Sequence, residues 1–245
     1  MLAMSLSAAG DTSDSDLTLN RLTADQLSCT RGERNLFRNL SFKVSAGECL
    51  HVVGANGCGK TSLLRILCGI TRPDEGRIFW NNSNIAGNDV YLAESSYIAH
   101  KDGLKNELTA IENLRWYQLL AAQKSANAGN EDALDDCLEA LGILDCADLF
   151  AQQLSFGQRR RLAFSRLLLG SFKLWILDEP FTGVDVSGRA SIEGHCVNHL
   201  EQGGSIIMTH HQSLKPSGLS PYLSELNLPQ QITNPRSTNH KGASE

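Results

Sequence analysis

The sequence predicts an α/β fold with a parallel core sheet, an N-terminal antiparallel β layer and an inserted helical subdomain. Three observations carry this prediction. The apolar run Cys49-Leu50-His51-Val52-Val53 feeds directly into a glycine-rich loop and a helix. Apolar runs and helical patterns alternate again between Phe156 and Met208, and the stretch separating these two regions is helical in pattern.

Taken in order, residues 1–16 are rich in Ser, Ala and Asp and lack the basic and apolar segments of a secretion signal. They read as a disordered extension of a cytoplasmic protein. From Leu17 to Val44 short alternating apolar runs are broken by turn residues, which suggests antiparallel strands. After the strand at Cys49 to Val53, a helix is expected over Lys60 to Cys68. Residues 17–99 and 154–215 form the expected core, and residues 100–153 the helical subdomain. There Thr109-Ala110-Ile111-Glu112 is a capping box ahead of a helix from Asn113 to Leu120, a second helix spans Ala133 to Leu141, and the small, polar Ala121 to Asn130 connects them. The return to the core reads as helix Phe156 to Leu169, strand Leu174 to Leu177, helix from about Gly188 to Glu201, turn Gly203-Gly204 and strand Ser205 to Met208. Four prolines (Pro216, Pro221, Pro229 and Pro235) leave residues 216–245 as an irregular or disordered tail.

At 245 residues the chain can bury one substantial core, and 41% hydrophobic with 20% charged residues is the composition of an ordinary globular protein. The net charge of −5 offers no general attraction to nucleic acid, which leaves only a local patch such as Arg159-Arg160-Arg161 to act. No apolar run approaches the roughly 20 residues needed to cross a bilayer, so a membrane role must come through a partner. The seven cysteines show no C-x-x-C spacing and read as free thiols, mostly small core residues.

The chemistry begins at Gly54-Ala55-Asn56-Gly57-Cys58-Gly59-Lys60-Thr61, followed by Ser62. Glycines let successive backbone N–H groups turn inward around a diphosphate, Lys60 adds a mobile positive charge, and Thr61 supplies a hydroxyl for Mg²⁺. A nucleotide is the expected ligand, and the Cys58 thiol is expected to be shielded from alkylation when it binds. Leu174-Trp175-Ile176-Leu177-Asp178-Glu179 is an apolar strand ending in two carboxylates. Asp178 suits the Mg²⁺ shell and Glu179 suits a base that orients or deprotonates the attacking water.

Leu154-Ser155-Phe156-Gly157-Gln158 resembles the LSGGQ signature of the ABC ATPases, with Phe156 in the variable third position. Ser155 and Gln158 also form a capping box, so Ser155, the Gly157 N–H and the helix N-terminus make a second anion-binding surface. The order of phosphate loop, helical insertion, signature and Asp-Glu strand matches that family from about Leu17 to His211. The resemblance implies the ABC cassette fold, a catalytic role for Lys60, Asp185 as the D-loop aspartate and His210 as the switch histidine, with His211 its solvated neighbour. It also implies a head-to-tail homodimer in which each ATP lies between one phosphate loop and the opposite signature. An isolated, dilute subunit is then expected to hydrolyse little ATP.

Two positions depart from the family pattern. His100 stands where the family has glutamine; either its imidazole replaces the amide near Mg²⁺ or water, giving pH sensitivity that His100→Gln would remove, or it is a surface histidine. Arg31 stands where tyrosine usually stacks on adenine; either its guanidinium plane stacks there, with weak discrimination between ATP and GTP, or it is solvated. The run His100 to Leu114, together with Ser155 to Arg161 and Leu174 to Thr182, is similar to the cytochrome c maturation ATP-binding subunits, also called heme exporter ATPases.

That resemblance implies a permease partner and peripheral attachment at the cytoplasmic face of the inner membrane. The work would be heme handling during c-type cytochrome assembly, without nucleic acid. No C-x-x-C-H motif is present, so the chain itself is not expected to bind heme. Trp116 and Tyr117 either face the permease or pack in the core. The competing readings are a degenerate cassette that binds ATP without hydrolysing it, against which Lys60, Asp178, Glu179 and His210 are all present, an ABC ATPase for another small substrate, and a soluble, non-transport ABC ATPase. The last normally needs a coiled coil, a second cassette or a basic surface, none of which is visible.

Overall fold

The computed structural model describes residues 20–122, 132–210 and 217–228. The expected N-terminal extension, all of the connector after residue 122, His211, and residues 216 and 229–245 of the tail lie outside them. Two sheets organise the chain. Strands β1 (Asn20–Arg31), β2 (Arg34–Ser45), β4 (Glu75–Trp80) and β5 (Ser83–Asn84) form an antiparallel layer in the order β2-β1-β4-β5. Strands β3 (Cys49–Val53), β6 (Ser95–Ile98), β7 (Leu174–Asp178), β8 (Ser205–Thr209) and β9 (Leu223–Asn227) form a parallel sheet in the order β6-β7-β8-β3-β9.

The continuous apolar runs at β7 and β8 arise because both faces of the parallel sheet are covered. Leu174, Ile176 and Ile207 point into one core with Leu50, Val52, Trp80 and the apolar side of helix α1 (Lys60–Leu67). Trp175, Leu177, Ile206 and Met208 point into the other. That second core runs without interruption into helices α3 (Ala110–Ala122), α4 (Asp132–Ala140), α5 (Phe156–Ser165) and α6 (Val186–Glu201) through Leu114, Leu138, Phe164 and Ile192. Among the described residues no helix is long and apolar enough to cross a membrane. All seven cysteines are free, and six of them are buried.

Several element boundaries differ from the sequence expectation. The Thr109–Glu112 capping box forms, Thr109 N–H donating to Glu112 (2.8 Å) and Glu112 N–H to Thr109 (3.2 Å), so α3 begins at Ala110 rather than at Asn113. Asn113 is instead a buried clamp, its amide bonding the backbone of Lys105, Leu108 and Thr109. Helix α5 stops at Ser165 because Leu167 and Leu168 N–H donate three residues back, tightening the chain ahead of Gly170. The expected irregular tail contains β9, which pairs along the whole of β3. Pro221 only precedes this strand, and as an edge strand β9 needs a ladder on one side alone, which weakens its apolar signature. Core packing for Trp116 is overturned: it is 43% exposed, with the Lys105 ammonium 4.7 Å from its ring centre. Tyr117 is half-buried, with its hydroxyl on the Gly103 carbonyl (2.8 Å).

Where α6 meets β7, the His199 ring stacks on Trp175 at 3.9 Å and 5°. Burial lowers its pKa from 6.5 to about 4. Folded His199 holds its proton more weakly than the unfolded chain does, so acid favours unfolding. The contribution is intact above about pH 6.5 and is lost as pH falls toward 4, to the extent of roughly 3 kcal/mol. His199→Phe keeps a flat ring on Trp175 and is expected to flatten the urea-unfolding free energy across this window. An unchanged pH dependence would remove His199 from the acid sensitivity.

Candidate active site

A cleft of about 780 Å³ opens at the carboxyl ends of the parallel strands, lined by the loop before α1, the ends of β6 and β7, and the turn between β1 and β2. Its walls carry Arg31, Arg34, Lys60, Arg65 and Lys101 against Asp178 and Glu179, an excess of positive charge suited to a polyanion. Asn56, Gly57, Gly59, Thr61, Ser62 and His100 complete the part read from the sequence. Arg31 and His100 therefore do face the cleft.

The loop takes its shape from backbone freedom at Gly59, the N-cap of α1, at φ 111. A Cβ there would stand 3.0 Å from that of Leu36, which fixes glycine on both steric and conformational grounds. The Lys60 ammonium is buried and donates to the carbonyls of Gly54 (2.7 Å) and Ala55 (3.2 Å), folding the loop over its own lysine. Cys58 is buried at 3% exposure and does not line the cleft, so only its backbone belongs to the loop. The thiol is therefore already buried, which leaves little exposure for nucleotide to shield from alkylation.

Asp178 ends β7 with one carboxylate oxygen accepting from Thr61 (2.9 Å) and the other from Thr209 (2.7 Å). Thr209 also receives the Glu179 N–H, through its hydroxyl at 3.0 Å and its carbonyl at 3.2 Å. Glu179 is held at φ 54, left-handed backbone that non-glycine residues seldom adopt and that here turns the chain out of the sheet. Its Oε2 accepts from Thr182 (3.2 Å) and lies 3.7 Å from Nδ1 of His100, whose side chain is 58% exposed. Tyr97, missed in the sequence, also borders the cleft; burial and then the Asp178 charge push its phenol up to about 12.

His210 follows β8, buried, with its ring edge-on to Phe181 (5.5 Å, 83°), and it does not line the cleft. Ser155, Gly157, Gln158 and Asp185 also stand outside it. Ser155 and Gln158 form the expected reciprocal cap on α5 (2.8 and 3.2 Å). Asp185 caps α6 by accepting from Gly188 (3.0 Å). Phe156 projects at 57% exposure and its ring lies over Gly183, where any Cβ would come within 2.2 Å of it. Val186, the first residue of α6, is 89% exposed.

The three arginines following this cap are not a solvent-facing basic patch, which corrects the sequence reading. Arg159 pairs with Asp102 (2.7 Å), Arg161 bonds the Leu141 and Gly142 carbonyls, and Arg160 is buried beneath the cleft. A run of like charges carries no signal of which residue turns inward.

A family model described as ABC transporter matches residues 37–182. A cytochrome c biogenesis ATP-binding export protein of Nitrosomonas europaea is 48% identical over 197 residues, covering 80% of this chain and 91% of that protein. A protein of the same name from Idiomarina loihiensis is 46% identical over 201 residues, covering 82% and 89%. Among solved structures, a putative ABC transporter ATP-binding protein from Pyrococcus furiosus superposes with a TM-score of 0.71 at 20% identity, covering 85% of this chain and 97% of that one. An ATP-binding cassette solved as a dimer in a post-hydrolysis state with ADP and phosphate gives 0.71 at 19% identity, covering 86% and 97%.

Proposed function

Since the chain belongs to the ABC transporter ATP-binding family and, within it, to the cytochrome c biogenesis ATP-binding export proteins, we propose that it hydrolyses ATP to drive a membrane permease in heme handling for c-type cytochrome assembly. The observation that carries the reading is one cationic cleft holding Lys60, the Thr61–Asp178 pair and Glu179 with His100 beside it.

In this reading the loop from Gly54 to Thr61 and Ser62 surrounds the phosphates, and the Lys60 ammonium exchanges its loop carbonyls for β- and γ-phosphate oxygens. Arg31, with Arg34 and Leu36, borders the base end. The hydroxyl of Thr61 and the carboxylate of Asp178 are hard oxygen donors, and no cluster of three or more His, Cys, Asp or Glu forms a closed cage among the described residues. That donor set fits Mg²⁺; Thr61 and Asp178 would hold the ion, which when bound would offset phosphate charge. Glu179 Oε2, steadied by Thr182, accepts the proton of the water attacking the γ-phosphorus as the bond to ADP breaks. His100 orients that carboxylate. The His210 ring would have to leave its contact with Phe181 to reach the γ-phosphate.

The signature surface of Ser155, Gly157 and Gln158, with Asp185, completes the cleft of a second copy, giving a head-to-tail homodimer held peripherally on the cytoplasmic membrane face by the permease. The test is ATP turnover against subunit concentration, with and without the co-purified permease. Turnover per subunit is expected to rise with concentration and further with permease; concentration-independent turnover by a monomer sinks the paired site. Co-purification with a sugar or metal permease would overturn the heme reading.

A further inference from the structure

The helix that carries the signature also carries Arg160, which is 3% exposed and has no part in the cleft wall. Its guanidinium spreads over two neighbouring strand ends. One arm donates to the carbonyls of Ala99 (2.7 Å) and His100 (3.4 Å), which follow β6. The other arm donates to the Asp178 carbonyl, and Nε donates to that of Pro180 (3.4 Å), on either side of Glu179. At this point β6 and β7, paired from Ser95 with Leu174 to Ile98 with Leu177, stop pairing with one another, while Asp178 stays paired with Thr209 of β8.

We propose that Arg160 is a positioning residue for ATP hydrolysis, tying the signature helix to the backbone that aims His100 and Glu179 at one another. The proposal rests on the reading of the cleft as an ATP-hydrolysing site. Two facts make Arg160 more than a space-filler. Its partners are backbone atoms on both sides of Glu179, whose left-handed backbone is strained and must be held from outside. The fork is planar and fixed, so it sets the spacing between the His100 and Glu179 segments in a way a single ammonium cannot. Arg159 braces the same joint by a two-armed pair with Asp102 (2.7 and 3.2 Å), two residues past His100. Any tilt of α5 as the signature seats on a partner's nucleotide is thereby felt at the chain's own catalytic carboxylate.

The decisive comparison is Arg160→Lys and Arg160→Met against the wild-type full chain, measuring ATP turnover, KM, affinity for a fluorescent ATP analogue and melting midpoint. The phosphate loop lies between β3 and α1, and none of the four carbonyls that Arg160 bonds belongs to it. For Arg160→Lys, turnover is expected to fall about 10- to 100-fold while KM and analogue affinity stay within about threefold. Arg160→Met, which leaves the carbonyls unbonded, is expected to be at least as slow; if it does not fold, the lysine variant decides alone. Unchanged turnover in Arg160→Lys overturns the proposal. So does a parallel fall of turnover and affinity, which marks Arg160 as a general structural prop. If the wild-type chain and its complex bind but do not hydrolyse ATP, the functional reading itself has failed, a result separable from either outcome.

Discussion

Replacing Glu179 by Gln is expected to slow ATP turnover by about 10²- to 10⁴-fold, the usual contribution of a positioned general base, while nucleotide affinity stays within about threefold. Glutamine is nearly isosteric with glutamate, so it can follow the same left-handed backbone and keep the bonds from the Glu179 N–H to Thr209. What it lacks is a carboxylate able to take the proton from water. Steady-state phosphate release and equilibrium binding of a fluorescent analogue separate the two effects. Turnover within a few-fold of wild type would remove Glu179 from the chemistry and leave phosphate oxygen as the proton acceptor.

Lys60→Met should show the opposite signature. The ammonium is buried and satisfied by two loop carbonyls, and under the proposed function it exchanges them for phosphate oxygens when nucleotide binds. Methionine keeps the length of the chain but not the charge. Losing a charge-assisted hydrogen bond, worth about 1.5–3 kcal/mol, should weaken ADP and ATP binding by roughly 10- to 150-fold. Isothermal titration with each nucleotide measures this directly. Affinity within twofold of wild type would mean that the loop backbone alone holds the phosphates.

Much of the site was legible because its chemistry is local. Gly54 to Thr61 is a continuous string whose backbone conformation and lysine act together, and Asp178-Glu179 is placed by the strand that precedes it. Both face one cleft, as do His100 and Arg31. The capping boxes at Thr109 and Ser155 formed because they involve only four residues each. Even so, the bond between Thr61 and Asp178, 117 positions apart, could be expected only through their shared need for one cation.

The rest depended on contacts that no short window contains. Strand β9 exists because β3 offers a free edge, not because Leu223 to Asn227 is strongly apolar. Arg159, Arg160 and Arg161 are chemically alike in sequence, yet one pairs with Asp102, one is buried against four carbonyls and one reaches past α4. His210 directly follows its strand and packs on Phe181, since sequence position gives a side chain's place along the chain and not its neighbour. The sequence by itself determined the fold class, the phosphate loop and the two carboxylates, because hydrophobic period and short-range backbone chemistry are encoded residue by residue. Only the tertiary structure decided which arginine is buried, which histidine meets Glu179 and which strand closes the sheet, because burial and pairing are set by the partner that distant chain supplies.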